Sequence, residues 1–127
     1  MIAVDTSALM AVVLGETQGR ACAEALNAED ELVISAVTMA EARVVALGRS
    51  VAEVMGRLIG ELDLVVVPAT DATAVRVQTI YRKWGKGFHP AALNLGDCFA
   101  YDLAREHDCR LLYIGRDFAK TDIASVL

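Results

Sequence analysis

The chain has 127 residues, 55% hydrophobic and 23% charged, which suits one domain with a packed core and excludes a disordered chain. Its formal net charge is −5, from 17 acids against 12 bases. That balance speaks against a basic surface of the kind that binds nucleic acid without selection, although an acidic cluster can hold a cation and present it to phosphate.

The predicted elements start with a strand, IAV, at residues 2–4. A helix from Ala8 to Leu14 follows, and Gly15 separates it from a second helix over about Thr17 to Asn27. The run LVIS (32–35) reads as the next strand. Thr38-x-x-Glu41 is a capping-box pattern that opens a helix to Leu47, stopped by Gly48. Ser50-x-x-Glu53 repeats the device for a helix to Leu62, with Val51, Val54, Leu58, Ile59 and Leu62 on one face. Another strand, LVVV (64–67), precedes a helix from Asp71 to Trp84, whose stripe is Ala74, Val77, Tyr81 and Trp84. A last long helix from about Gly96 to His107 leads to the strand LLYI (111–114). All four apolar runs are continuous rather than alternating, as parallel strands covered on both faces require. Strands alternating with helices over residues 1–127 make one α/β domain with a doubly wound parallel sheet.

In such sheets ligands bind outside the carboxyl ends of the strands. Asp5 follows the first strand, Glu41 the second, Asp97 opens the helix before the fourth, and Asp117 follows that strand. Each has an ordinary structural reading. Asp5 or Ser7 N-caps the helix at Ala8; Glu41 completes a capping box; Asp97 complements a helix dipole; Asp117 is a turn residue. Together they read differently. Two like charges ~4 Å apart repel by about 4 kcal/mol at a surface-like dielectric, so converging carboxylates need protons, basic partners or a cation. Only Arg43 and Arg116 stand beside them in sequence, and His89 and His107 are the only histidines. A hard divalent ion is the natural partner, and zinc is not.

These residues carry a resemblance. IAVDTSAL at the start, SAVTMAEA around Glu41, LNLGDCFAYDLA around Asp97 and LLYIGRDFAKTDI near the end are similar to the PIN-domain ribonucleases, specifically the VapC-type toxins of toxin–antitoxin modules. The resemblance spans essentially the whole chain. It implies a three-layer α/β/α fold with a central parallel sheet, and a Mg²⁺- or Mn²⁺-dependent endoribonuclease acting by metal-activated water. It also implies that Asp5, Glu41, Asp97 and Asp117 form the catalytic quartet, with Asp5 and Asp97 most directly on the metal. Ser7 and Asn94 match supporting positions. The implied partners are an RNA substrate and a VapB-type antitoxin, with a homodimer or dimer-based complex. Two departures from the family pattern stand out: Arg116 replaces an Asn in the final motif, and Asp102 stands where a small apolar residue is common. Asp102 lies about 140° round the helix from Asp97 and reads as solvated surface.

The stretch YRKWGKGFHPAALN (81–94) gathers Arg82, Lys83 and Lys86 with aromatic residues, a composition suited to an RNA strand. Trp84 within it reads as a core anchor, and His89 as a loop residue. Cys22, Cys98 and Cys109 are odd in number and lack CxxC spacing, against a disulfide framework or a structural zinc site. Free thiols and the lack of a leader or spanning run lead to the expectation of a soluble cytoplasmic protein. The apolar faces over 17–27, 38–47 and 50–62 exceed what one sheet face covers, and lead to the expectation of partner contacts. Rival readings are a non-catalytic PIN-like binding module and a receiver-type phosphate domain; Lys120 suits the latter poorly, and no Gly-rich phosphate loop is present.

Overall fold

The four apolar runs pair into one sheet. In the computed structural model, which describes residues 1–127, β1 (Ile2–Val4), β2 (Leu32–Ser35), β3 (Leu64–Val67) and β4 (Arg110–Leu112) lie parallel in the order β3-β2-β1-β4. Between them run α1 (Thr6–Leu14), α2 (Gly19–Ala28), α3 (Ala36–Gly48), α4 (Ala52–Glu61), α5 (Asp71–Trp84) and α6 (Leu95–Glu106).

Side-chain alternation within the short strands creates the three layers. Ile2, Val4, Leu32, Ile34 and Leu112 point to one face, where Leu9, Leu26, Ala42, Ala46 and Met55 of α1–α4 cover them. Ala3, Val33, Leu111 and Tyr113 point to the other, against Val77 and Ile80 of α5 and Cys98, Tyr101 and Leu103 of α6. Full burial of each large aliphatic side chain contributes roughly 1.5–3 kcal/mol, so two such clusters supply the main drive to fold. β3 departs from the expected pattern. It lies at one edge of the sheet, and Val65 and Val66 are 49% and 46% exposed. β4, at the other edge, is bridged by Ser125 of the C-terminal segment and keeps Leu111 and Leu112 buried, whereas β3 pairs with β2 alone.

Two capping expectations are corrected. α3 begins two residues before Thr38, with Ser35 as its N-cap accepting a hydrogen bond from the Val37 N–H. Thr38 is instead buried, and its hydroxyl has no hydrogen-bond partner. α4 has Val51 at its N-cap with no side-chain cap, because Ser50 sits in the left-handed region at φ 58°. The capping boxes occur elsewhere, as Thr70 with Thr73 on α5 and Asn94 with Asp97 on α6.

Asp102 is corrected as well. It is buried, and the Arg76 guanidinium of α5 grips its carboxylate through Nε at 2.7 Å and Nη2 at 3.1 Å. Arg76 Nε also lies 2.6 Å from Glu106 Oε1. The face of α6 that turns away from Asp97 meets α5 rather than solvent, so the acid placed there needs a cation. Trp84 is a half-buried anchor: its indole donates to the Tyr101 hydroxyl, which donates at 2.5 Å to Asp122 in the C-terminal segment. No helix is long and apolar enough to cross a membrane.

Candidate active site

From β1 the chain crosses to β2 on one side, while β4 occupies the other, so the carboxyl end of β1 is a point where the strand order reverses. Asp5 leaves β1 at this point. It is 4% exposed and is the N-cap of α1, with its Oδ2 accepting from the Ser7 N–H at 3.0 Å and the Ser7 hydroxyl at 2.6 Å. Ser7 Oγ in turn accepts from the Ile114 N–H at 2.9 Å, just beyond β4. One hydroxyl thus fixes the orientation of Asp5 and ties it to the neighbouring strand. Burial raises the Asp5 carboxyl above its ordinary range, opposed by the Ser7 hydrogen bonds and reinforced by the charge of Glu41.

Asp97 enters from α6. Its Oδ2 accepts from the Asn94 N–H at 3.0 Å, while Asn94 Oδ1 accepts from the Asp97 N–H at 2.8 Å. Its carboxyl is pushed up to about 6, first by desolvation and then by the charges of Asp5, Glu41 and Asp117, against the hydrogen bond from Asn94. Asp117 arrives through the turn after β4, which Gly115 makes at φ 106°, a conformation that favours glycine. A polar cavity of about 190 Å³ is lined by Asp5, Ser7, Asn94, Asp97, Arg116 and Asp117, among others.

Glu41 reaches the same place from α3 and stands behind the cavity wall. The Thr6 hydroxyl donates to its Oε1 at 2.7 Å and also points at the Thr38 carbonyl, 3.2 Å away. Its Oε2 lies so close to Gly96 that a Cβ on that residue would stand 2.4 Å from it. Glu41 therefore has no capping task, since α3 starts earlier, and the first turn of α6 is built to receive it.

The structure thus brings Asp5, Asp97, Asp117, Ser7, Asn94 and Arg116 onto one cavity, with Glu41 adjoining. The other three basic residues, Arg82, Lys83 and Lys86, are exposed and lie outside that cavity. Lys83 holds its ammonium 5.0 Å from the Trp84 ring centre. His89 accepts from the Ala91 N–H through Nδ1, as a loop residue. Two further positions matter to the site. The Thr6 hydroxyl serves Glu41, and Gly96 admits the Glu41 carboxylate. The glycine directly before Asp97 was the legible signal; Thr6 had none until α3 was placed beside α1.

The donor set suits a hard ion. Every side chain able to ligate here is an oxygen donor, none of the four acids has a basic partner in an ion pair, and neither histidine lines the cavity. No three acidic, His or Cys side chains close into a ready-made ligand group. That arrangement matches an ion taking one or two carboxylates and keeping much of its water.

The PIN domain family model matches residues 2–124. Ribonuclease VapC30 of Mycobacterium tuberculosis is 39% identical over 129 residues, covering 97% of this chain and 96% of that protein. The chain belongs to the PIN-domain family of VapC ribonucleases. Its activity class is that of an endoribonuclease, and members of this family are metal-dependent in general. The fold agrees. The crystal structure of VapC20 of M. tuberculosis, a sarcin–ricin loop cleaving toxin, superposes with a TM-score of 0.79 at 14% identity, covering 99% of this chain and 98% of that one. A toxin–antitoxin complex from Klebsiella pneumoniae gives a TM-score of 0.71 at 22% identity, with 96% and 93% covered. The three-layer α/β/α architecture is thus that of VapC PIN toxins.

Proposed function

We propose that this chain is the toxin of a type II toxin–antitoxin module, an endoribonuclease that uses Mg²⁺ or Mn²⁺ held by Asp5 and Asp97. The observation that carries the reading is the shared polar cavity of Asp5, Asp97 and Asp117, with Glu41 behind it and Arg116 on its lining. When bound, the ion supplies charge to offset the carboxylates and the scissile phosphate, and makes water a competent nucleophile at neutral pH.

The chain's own residues set the geometry. Ser7 locks the Asp5 carboxylate by donating to it while accepting from Ile114. Asn94 does the same for Asp97 from within the capping box. Glu41, held by Thr6, and Asp117 add negative charge that favours a cation and a proton leaving the attacking water. Arg116, unpaired and exposed, takes a phosphate oxygen of the RNA. Arg82, Lys83 and Lys86 offer further phosphate contacts and offset the global acidity locally. Val44, Val45 and Leu47 of α3 and Val54 of α4 remain exposed, 38–67%. That apolar surface supports contact with a VapB-type antitoxin and a dimer-based complex. The working compartment on this reading is the cytoplasm.

Purified protein incubated with cellular RNA and Mg²⁺ or Mn²⁺ should release fragments with 5′-phosphate and 3′-hydroxyl ends. Asp5→Asn and Asp97→Asn should abolish the cuts. Unchanged cutting in both variants, or 2′,3′-cyclic phosphate ends, would overturn the assignment.

A further inference from the structure

On the far side of the first turn of α6 from the acids lies a second concavity. It is an apolar groove of about 620 Å³ between α5 and α6, lined chiefly by Val77, Tyr81, Arg82, Phe88, Leu95 and Phe99. The chain has only three Phe, three Tyr and one Trp, and this groove collects Tyr81, Phe88 and Phe99. Phe88 and Leu95 are each 62% exposed.

The groove is built rather than incidental. Phe88 sits on the loop after α5, whose backbone is closed by hydrogen bonds from Lys86 N–H to the Leu93 carbonyl, Leu93 N–H to Trp84, and His89 N–H to Gly85. Gly85 lets that loop lie on the Tyr81 ring, since a Cβ there would meet the ring at 2.7 Å. Phe88 then packs edge-on against Tyr81, with ring centres 5.9 Å apart. Gly87 makes the preceding turn at φ 89°. An exposed aromatic held by an ordered loop is a presented surface.

Two features select the occupant. Arg82 is the one charged side chain in the lining, with Lys86 nearby in the loop, so the groove pairs aromatic faces with positive charge in a chain of net charge −5. It also lies close to the cavity of acids, with which it shares no lining residue. Leu95 opens the helix whose third residue is Asp97, and only the width of a helix end, ~10 Å, separates the two. We propose that this groove binds an unpaired base of the RNA strand flanking the scissile phosphate. The base stacks on the Tyr81–Phe88–Phe99 surface while Arg82 takes the adjoining phosphate. The inference rests on the ribonuclease reading for what the neighbouring cavity does, and it requires the stacked base to be unpaired, so a duplex gains nothing from the groove.

The test uses the full chain. In the Asp97→Asn background, binding of a fluorescent single-stranded RNA of mixed sequence is measured with and without Phe88→Ala, across a salt series, beside the same RNA as a duplex. Phe88→Ala should weaken single-strand binding about tenfold, one stacked base, without altering the salt slope or the duplex affinity. Arg82→Ala should lower the slope of log K against log salt by about 0.7. Equal melting temperatures exclude a folding effect, because Phe88 is mostly exposed. Single-strand affinity unchanged by Phe88→Ala overturns the proposal. So does a variant that loses self-association or antitoxin binding while holding RNA as tightly as its parent, which would make the groove a protein contact. Cleavage separates this inference from the one beneath it. If the chain with Asp97 cuts no RNA but Phe88 still governs single-strand affinity, the groove stands and the nuclease reading fails. If it cuts and Phe88→Ala cuts with the same kcat/KM, the groove falls and the nuclease reading stands.

Discussion

Replacing Asp97 by Asn should make the chelated protein more stable while removing its activity, and the stability gain should depend on pH. The Asp97 carboxyl titrates at about 6 in the fold, against an ordinary 3.8, because it is desolvated and faces Asp5, Glu41 and Asp117. A raised folded-state pKa means that the native protein holds a proton the unfolded chain has released. Stability therefore falls as pH rises from about 4 through 6, and the full penalty is present above that window. At 1.36 kcal/mol per pH unit the displacement corresponds to ~3 kcal/mol, which solvent access to this half-buried group cuts to about 1–2. An acid in the first turn of a helix also gains ~0.3–1 kcal/mol from the dipole, which the amide forfeits. The amide keeps the hydrogen bond, since its carbonyl oxygen can still accept from Asn94. The net expectation is a gain of about 1 kcal/mol above pH 7, or roughly 3–5 °C in Tm for a domain of this size. Thermal melts in chelator from pH 4 to pH 8 would read it. The two proteins should match near pH 4 and diverge up to pH 7. Added Mg²⁺ should then raise the wild type by mass action and the variant much less. A gap that is the same at every pH, or a variant less stable throughout, would refute the claim that burial and the neighbouring acids raise the Asp97 carboxyl.

Four further outcomes follow from single contacts. Gly96→Ala should displace the Glu41 carboxylate, whose Oε2 would lie 2.4 Å from the new Cβ, and lower cleavage about as much as Glu41→Gln does. Since only the tip of a flexible side chain must move, its melting temperature should stay near wild type. Ser7→Ala removes both a donor to Asp5 and the acceptor for Ile114 N–H, so a loss of ~1–3 kcal/mol in urea unfolding should accompany weaker Mg²⁺ activation. Asp102→Asn should lower the melting temperature by leaving Arg76 poorly paired, whereas Arg76→Met with Asp102→Leu should recover it, as read by circular dichroism. Thr6→Val should leave Glu41 without its anchor and reduce kcat more than KM in a fluorogenic RNA assay.

The sheet was legible because its strands are short, β-branched runs bounded by polar residues, and β1, β2 and β3 occupy the residues expected of them. What the local pattern could not carry was position in the sheet. LVVV looks like LVIS in sequence, yet β2 is interior and β3 lies at the edge with two valines bare. The same limit misplaced Asp102, because an angular offset round a helix says which way a residue points but not what covers that side. Thr38 and Glu41 have capping-box spacing, yet Ser35 caps α3 first, since a chain leaving a strand can turn into a helix at the earliest hydroxyl. The carboxylates of the site were legible for a different reason. They are charged residues at strand ends and helix starts, positions that the alternation of elements fixes to within a turn.

Two of those acids keep the ordinary structural role that the sequence offered beside the catalytic one. Asp5 is the N-cap of α1, and Asp97 is the third residue of the α6 capping box, so each does the ordinary task that its local pattern describes. Both helices therefore aim their N-terminal partial positive charge at one cavity. That field offsets part of the repulsion among the carboxylates, about 0.3–1 kcal/mol at each helix start. The capping bonds occupy one oxygen of each acid, Oδ2 in both cases, and fix its rotamer. A side chain locked in this way loses little entropy on taking a cation. On the proposed reading the cap is the means by which the fold prepares a metal ligand, and a variant that keeps the cap but drops the charge, Asp5→Asn or Asp97→Asn, separates the two tasks. It should fold, and it should not cut.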